Sequence, residues 1–334
     1  MNYYFLARRE ELRGRTVSFK MVMLPPGYHD DWPERIREAV PAAEVKVFPD
    51  PKNAFQDIEE ADCAYGYVPP DLFARAKRLR WIQCYAAGPD PSFYHEALVR
   101  SDVVVTNFRG IYNDNVSHHA LTLLLALSRH LHRYVPQQLQ QEWKPGDAAV
   151  YLPHSTVVVV GVGGIGSEVA RLCKSFGAIT LGLDPRRTDK PEYLDELHGP
   201  EKLEDVLPRA DFLVITAPDT PQTRGMMNAK RLHLMKSSAF LINVGRGVCV
   251  VLDDLLQALR SGKIAGAALD VFEVEPLPVE HPLWKMPNVL ITPHIAAHKA
   301  PYLAQRRTRI LIGNCQRFAR GEPLVNVVDK GSRF

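Results

Sequence analysis

Three glycines at fixed spacing stand in the segment GVGGIG (161–166), between the apolar run VVVV and a helical pattern. This GxGxxG arrangement is typical of a turn that binds the pyrophosphate of a dinucleotide. The first glycine makes the tight turn, the second admits the phosphates, and the third lets helix and strand pack closely. The N-terminus of the following helix favours an anion. We therefore predict a dinucleotide site, with an ordinary glycine turn as the alternative interpretation.

An acidic residue, Asp184, ends the next predicted strand, ITLGLD. A carboxylate at this place accepts hydrogen bonds from the ribose hydroxyls of the adenosine half and repels a 2′-phosphate, so NAD is predicted over NADP. Arg186 and Arg187 follow directly and keep NADP open, because two guanidinium groups can bind that phosphate. Two solvated surface arginines are the other interpretation.

The elements that must position these residues follow from alternating short apolar runs and helical patterns, which indicate an α/β protein with parallel sheets. The predicted strands are 19–24, 44–48, 61–67, 80–84, 103–107, 157–161, 179–183, 212–216, 240–244, 265–270 and 289–293. The predicted helices include 32–40, 70–78, a buried helix at 116–133 that bridges two domains, and 301–320.

The chain length of 334 residues exceeds what one hydrophobic core usually fills. We predict two doubly wound domains: a nucleotide-binding domain at 117–296, and a second domain formed by 1–116 together with 297–334. The C-terminal part is too short for a third domain, so it should pack on the first.

Composition excludes several classes of function. Hydrophobic residues make up 46% and no apolar run approaches the roughly 20 residues of a membrane helix. The net charge of +3 without a long basic run argues against nucleic acid, and five scattered cysteines without CxxC spacing argue against disulfides and zinc. The N-terminus lacks the features of a signal peptide. We expect a cytoplasmic protein with a small-molecule partner and no metal.

Several ordered motifs lie behind the glycine segment. They are INVGRG, AGAALDVFEVEPLP and NVLITPHIAAH, and with them the second half of the chain resembles the D-2-hydroxyacid dehydrogenase family. CYAAGPD (84–90), VTNFRG (105–110), VSHHALTLLLAL and the final EPLVNVVD match more loosely. The resemblance implies a Rossmann NAD-binding domain inserted in a flavodoxin-like substrate domain. It also implies a homodimer built around the cofactor domains, with the helix from Val116 between subunits.

The resemblance implies that Arg246, Glu275 and His294 are the catalytic residues. Their chemistry is consistent with reduction of a 2-oxo acid. Arginine offers a planar donor fork for a carboxylate. Histidine exchanges protons near neutral pH, and a nearby glutamate favours its charged form.

The resemblance also assigns binding residues. The loop Ala86-Ala87-Gly88 is similar to the family's substrate-carboxylate loop, in which backbone N–H groups bind; Tyr85 beside it is either a substrate contact or a half-buried strand-end residue. Asp270 matches the position that binds the nicotinamide carboxamide. The cofactor-binding residues expected in all are Val116, Gly161, Gly163, Gly164, Ile165, Gly166, Asp184, Arg186, Pro218, Val244, Gly245 and Asp270.

Three residues depart from the family pattern: His118 in place of a glutamate, Asp219 in place of a leucine, and His298 in place of a threonine or serine. The activity implied is hydride transfer between NAD(H) and a small 2-oxo or 2-hydroxy acid of the glyoxylate, hydroxypyruvate or pyruvate type. A corepressor-like scaffold that uses the dinucleotide to control assembly, and a phosphite dehydrogenase with the same trio, are the alternatives.

Overall fold

A computed structural model describes residues 17–300 and 302–331. The chain divides into two compact units, Met1–Ile111 with Pro301–Phe334, and Tyr112–Ala300. The boundaries expected after 116 and after 296 both lie inside the second unit. The first division falls earlier because residues 113–128 form one continuous helix. The N-terminal residues on which the signal-peptide argument rests lie outside the described ranges.

The sheet of the first unit has five parallel strands in the order β2-β1-β3-β4-β5. This is the flavodoxin-like order, which confirms the fold predicted for this part of the chain. Each strand lies inside a range predicted from apolar runs, except that β2 begins one residue earlier than predicted. The strands are β1 Phe19–Met23, β2 Ala43–Val47, β3 Cys63–Tyr65, β4 Trp81–Gln83 and β5 Val104–Thr106.

Short helices connect these strands. The helix predicted at 70–78 ends at Phe73, because Arg75 and Ala76 donate to carbonyls three residues back and the helix tightens into turns. The helices are α1 Trp32–Ala39, α2 Pro70–Phe73, α3 Glu96–Arg100 and the C-terminal helix Leu303–Ala319, with 3₁₀ helices at Pro51–Ala54, Asp57–Glu59 and Pro91–Phe93.

The sheet of the second unit has seven parallel strands in the order β12-β11-β10-β9-β6-β7-β8. Read from β8, this is the Rossmann order 3-2-1-4-5-6 with one further strand, as predicted. β8 was not predicted, because Glu-Leu-His is short and polar, as edge strands often are. The strands are β6 Thr156–Val160, β7 Ile179–Leu183, β8 Glu196–His198, β9 Phe212–Ile215, β10 Phe240–Asn243, β11 Gly266–Leu269 and β12 Val289–Ile291.

The single helix predicted at 116–133 is two helices, so that prediction was wrong. His130 adopts a left-handed backbone conformation (φ +56°), which ends the first helix and redirects the chain. The helices are α4 Asn113–Ser128, α5 Leu131–Leu139, α6 Gly164–Ser175, α7 Leu203–Val206, α8 Ala229–Leu232 and α9 Leu252–Arg260, with 3₁₀ helices at Leu152–His154, Pro200–Lys202, Leu207–Arg209, Gly247–Cys249 and Pro282–Lys285.

Two hydrophobic clusters cover the two faces of this seven-stranded sheet. The strands β9 and β10 are buried at every position, as expected for a parallel sheet that is covered on both sides. No helix within 17–300 or 302–331 is long and apolar enough to cross a membrane. The same residues contain no cluster of three His, Cys, Asp or Glu side chains suited to a metal ion.

Candidate active site

The glycine turn joins β6 to α6, where the fingerprint requires it. Gly161 has φ +92°, a conformation that glycine adopts without strain. A Cβ on Gly166 would overlap the carbonyl of Gly161 and come within 2.7 Å of Thr216 Oγ1, so this position admits no side chain. A Cβ on Gly163 would meet no atom within 4 Å. The turn is therefore closely packed at Gly166 and open at Gly163, which suits the approach of a dinucleotide pyrophosphate.

The end of β7 carries the predicted ribose-binding carboxylate. Asp184 Oδ1 accepts the backbone N–H groups of Arg186 and Arg187 at 2.9 and 3.1 Å. The Arg187 guanidinium donates to Ser167 Oγ at 2.7 Å and to Val162 O at 3.3 Å, beside the glycine turn. Arg187 therefore packs on the start of α6, a contact that its position in the sequence did not indicate.

Most other predicted residues of this unit follow the carboxyl ends of strands. Because the strands are parallel, these ends share one edge of the sheet, where ligands bind in open α/β sheets. Pro218 follows β9, while Val244, Gly245 and Arg246 follow β10. Asp270 follows β11 and His294 follows β12. Glu275 lies on the loop after β11, whereas Val116 is buried in α4.

Arg246 stands between two glycines that allow close packing of its loop. A Cβ on Gly245 would lie 2.6 Å from Ala217 O, and one on Gly247 would overlap the backbone of Phe272. The Arg246 guanidinium donates to its own neighbour, Gly245 O, at 2.8 Å. It forms no ion pair with a carboxylate of the described residues, so its donor fork can serve a substrate anion.

His294 and Glu275 form a hydrogen-bonded pair, with 2.7 Å between His294 Nδ1 and Glu275 Oε2. The other carboxylate oxygen of Glu275 accepts the N–H of Phe272 at 2.9 Å, which fixes the carboxylate. With Nδ1 directed at Glu275, Nε2 is the ring nitrogen left to exchange a proton with a ligand. His294 has φ +51°, a conformation unusual for a residue with a side chain.

Asp270 anchors the loop that carries His294, which we call the histidine loop (292–296). Its carboxylate accepts from Thr292 Oγ1 at 2.6 Å and from the N–H groups of Ile295 and Ala296 at 2.9 and 3.1 Å. The Asp270 carbonyl accepts the N–H of His294 at 2.9 Å. These contacts hold the backbone of His294 in its left-handed conformation.

His119 on α4 completes this anchor. Its Nε2 lies 3.0 Å from Thr292 Oγ1 and 3.4 Å from Asp270 Oδ1. Asp270 is 1% exposed, and burial alone would raise the pKa of its carboxyl. Hydrogen bonds from His119, Thr292 and the two backbone N–H groups outweigh burial and lower that pKa. Neither His119 nor Thr292 was predicted at the site, because the two residues are 173 positions apart and no local pattern connects them.

The predicted substrate loop, Ala86-Ala87-Gly88, follows β4 in the other unit, and we call it the carboxylate loop. The Asn107 side-chain amide donates to Ala87 O at 2.8 Å. Tyr85 packs edge-on against Phe93, with 5.9 Å between ring centroids, and burial raises the pKa of its hydroxyl.

The residues that depart from the family pattern have simple surroundings. Asp219 makes a two-contact ion pair with Arg224, both distances 2.7 Å, which braces its loop. His118 and His298 are exposed, and the N–H of His298 donates to Ile295 O. None of the three contacts Arg246, Glu275 or His294 through a hydrogen bond in the described part of the chain.

Comparison with known proteins decides the family. The profile described as "D-isomer specific 2-hydroxyacid dehydrogenase, NAD binding domain" matches residues 121–296. The chain belongs to the D-isomer specific 2-hydroxyacid dehydrogenase family. The family confirms the resemblance seen in the motifs, and its NAD-binding domain confirms a nicotinamide dinucleotide as the cofactor class.

Individual relatives agree with this assignment. The chain is 36% identical over 273 residues to a glyoxylate reductase of Pyrococcus furiosus, covering 79% of this chain and 80% of that protein. It is 31% identical over 310 residues to glyoxylate/hydroxypyruvate reductase A of Serratia proteamaculans, covering 90% and 95%. The structure of a family member from Xanthobacter autotrophicus, in complex with NADPH and MES, matches with TM-score 0.81 and 32% identity, covering 95% and 100%.

Proposed function

We propose that the protein reduces small 2-oxo acids of the glyoxylate, hydroxypyruvate or pyruvate type to D-2-hydroxy acids, and catalyses the reverse oxidation. The observation that carries the proposal is the pair His294 Nδ1 and Glu275 Oε2 at 2.7 Å, at the ligand-binding edge of the dinucleotide domain. The relatives described as glyoxylate and hydroxypyruvate reductases support the substrate class.

Each catalytic residue has one task. The bound nicotinamide supplies or accepts the hydride. Arg246 binds the substrate carboxylate through its donor fork and orients the carbonyl. In reduction, His294 Nε2 donates a proton to the carbonyl oxygen; in oxidation, neutral His294 removes the hydroxyl proton. Glu275 keeps the ring in one orientation and stabilises its positive charge.

NADH is the proposed cofactor, with NADPH as the alternative. Asp184 supports NADH because its carboxylate lies at the end of β7, and Oδ2 has no hydrogen bond to another described residue. The Arg187 guanidinium is already engaged by Ser167 and Asp189, which reduces its availability for a 2′-phosphate. A family member whose structure contains NADPH supports NADPH as the alternative, so both cofactors are measured.

The test is a panel of 2-oxo acids with NADH and with NADPH, followed by absorbance of the reduced nicotinamide. We expect turnover of a short 2-oxo acid and a higher kcat/KM with NADH. A higher kcat/KM with NADPH would overturn the cofactor proposal. Absence of turnover across the panel would overturn the activity and favour the scaffold alternative.

The proposed homodimer has a candidate surface on α5 and the segment after it. Leu131, Val135 and Leu139 are four residues apart and share one helix face. Leu139 is 81% exposed, and Trp143 beyond the helix is 98% exposed. Apolar groups arranged in this way are typical of protein interfaces. Light scattering should give a dimer, and Val135→Glu should give a monomer. The predicted cytoplasmic location stays a prediction.

A further inference from the structure

The carbonyl oxygens of the carboxylate loop accept hydrogen bonds from the two residues that follow β5. The N–H of Phe108 donates to Ala86 O at 3.4 Å, and Asn107 Nδ2 donates to Ala87 O at 2.8 Å. In a planar trans peptide, the N–H of the next residue points opposite to the carbonyl. The N–H groups of Ala87 and Gly88 therefore point to the other side of the loop, away from Asn107 and Phe108.

Asn107 itself is fixed by a second asparagine. Asn107 Oδ1 accepts the backbone N–H of Arg109 at 3.0 Å, and the backbone N–H of Asn107 donates to Asn326 O at 3.1 Å. Asn326 Nδ2 donates to Arg109 O at 2.8 Å and to Asn107 O at 3.3 Å. We call this arrangement the asparagine bracket (Asn107 and Asn326).

The bracket joins the C-terminal segment EPLVNVVD to the end of β5. Val327 forms an antiparallel bridge with Thr106, and the N–H of Val328 donates to Val105 O at 2.9 Å. The buried Asn314 of the C-terminal helix exchanges two hydrogen bonds with the backbone of Val325. The segment therefore has a fixed place beside the carboxylate loop, and the catalytic proposal gives it no task.

We propose that Asn107 is a positioning residue for substrate binding, and that Asn326 holds it in place. Asn107 fixes the peptide planes of the carboxylate loop so that the N–H groups of Ala87 and Gly88 present themselves to an anion. The inference rests on the proposed function, which assigns this loop to the substrate carboxylate. Residues outside the loop then determine whether the loop binds.

The chemistry of the position requires an amide. One atom must donate to Ala87 O and another must accept from Arg109 N, and a neutral side-chain amide does both. An aspartate would keep the acceptor, lose the donor and oppose Ala87 O with a charged oxygen. Its negative charge would also repel the substrate carboxylate.

The test measures binding of oxamate, an unreactive carboxylate analogue, to the NADH-saturated protein by calorimetry, alongside KM and kcat for the best 2-oxo acid. Asn107→Ala should weaken oxamate binding and raise KM by about 10-fold, since a buried acceptor loses its partner. Asn107→Asp should weaken oxamate binding further and raise KM further. NADH affinity should stay within about twofold of the parent in both variants, because neither the carboxylate loop nor the asparagine bracket contains a residue proposed to bind the cofactor.

Asn326→Gly tests the second half of the bracket without adding strain. Asn326 has φ +59°, which glycine adopts freely, so this variant removes only the side-chain amide. We expect oxamate binding to weaken about threefold. The variant loses the two hydrogen bonds of the Asn326 amide, and these act on the loop only through Asn107 and Arg109. This variant also keeps the proposal testable if the Asn107 variants fold poorly.

Asp62→Ala is the matched control for general damage. Asp62 is 4% exposed and Asn107 is 5% exposed, and both anchor backbone N–H groups in the same unit. Asp62 directly precedes β3, whereas the carboxylate loop follows a strand end, so the two positions lie at opposite edges of the sheet. We expect Asp62→Ala to lower Tm and leave oxamate affinity at the parental value.

The outcomes separate this inference from the function on which it rests. If the parent reduces 2-oxo acids while the Asn107 and Asn326 variants keep parental oxamate affinity, the inference is wrong and the proposed function stands. Equal loss of affinity in Asp62→Ala would also overturn it, because the effect would then be general damage. A parent without turnover of any 2-oxo acid would overturn both.

Discussion

The histidine loop and the carboxylate loop are each held by one buried side chain, and the two anchors differ in charge. Asp270 faces N–H groups of the histidine loop, so a carboxylate satisfies them. Asn107 faces a carbonyl of the carboxylate loop, and only a donor can satisfy it. The anchored peptide groups of the histidine loop consequently direct their carbonyl oxygens away from the anchor, whereas those of the carboxylate loop direct their N–H groups away from it. A loop that binds an anion through N–H groups needs a neutral, donating anchor.

Charge separates the loops in a second way. In the proposed function His294 donates a proton from the histidine loop, and the negative charges of Glu275 and Asp270 are compatible with that task. The carboxylate loop is proposed to bind an anion, and its anchor adds no negative charge. We therefore expect damage to the first loop to appear in kcat and stability, and damage to the second to appear in substrate affinity.

The largest effect is expected at His294, the proposed proton donor. His294→Ala should lower kcat by about 10²- to 10⁴-fold, the usual contribution of general acid catalysis. The Kd for NADH, measured by fluorescence, should change little, and KM should change less than in Asn107→Ala. His233→Ala is the control, because His233 is exposed and its ring Nδ1 donates to Ala229 O within its own helical turn. Parental kcat in His294→Ala would remove His294 from the mechanism.

Arg246 should show the next largest effect. It tests the comparison between the loops because it is a charged group proposed to bind the substrate carboxylate. In the proposed function the Arg246 guanidinium binds the substrate carboxylate through a charge-assisted pair, whereas the carboxylate loop offers neutral N–H groups. Truncating one partner of such a pair costs about 2 to 5 kcal/mol, so Arg246→Ala should lower kcat/KM by about 30- to 4,000-fold. Steady-state kinetics measure this. A loss smaller than that of Asn107→Ala would mean that the loop, not the arginine, is the principal carboxylate site.

Asp270→Asn should reduce the free energy of unfolding by about 2 kcal/mol at pH 7, because the amide cannot accept all the hydrogen bonds of a buried carboxylate. The pKa of Asp270 is lowered from its ordinary value of 3.8, so its stabilisation is present above pH 3.8 and is lost as pH falls through the lowered pKa. The difference between parent and variant in urea unfolding should therefore shrink in acid.

The same variant tests the family's role for Asp270. Binding of the nicotinamide carboxamide requires the carboxylate to face the cofactor, so NADH affinity would fall in Asp270→Asn. His119→Gln is the companion variant, since it keeps a hydrogen-bonding group near Thr292 and should lose less stability. A pH-independent stability difference in Asp270→Asn would contradict the anchoring role.

Sequence patterns predicted the sheets well because each strand is a local apolar run between turns. They missed β8, whose three residues are polar, and the break at His130, which depends on one left-handed residue rather than on apolar periodicity. The prediction of Arg246, Glu275 and His294 as catalytic residues came from motifs of fixed spacing, and the structure brings Glu275 and His294 together. The loop anchors could not be predicted in this way, because Asn107 and Asn326 are 219 positions apart and His119 and Thr292 are 173 apart. Only tertiary packing brings such pairs together.

Of the variants at Arg246, Glu275 and His294, Glu275→Gln should have the smallest effect, because it keeps a hydrogen-bonding side chain and removes only the charge beside His294. The imidazolium then loses an ionic partner 2.7 Å away, in a partly exposed pair where solvent weakens the interaction. We expect kcat to fall by about 10-fold, the equivalent of 1.4 kcal/mol. Asn107→Asp adds a charge where this variant removes one, and it should change oxamate affinity more than kcat. A kcat of Glu275→Gln equal to the parent's would show that the charge of Glu275 has no part in proton transfer, and the two loops would then differ in hydrogen-bond polarity alone.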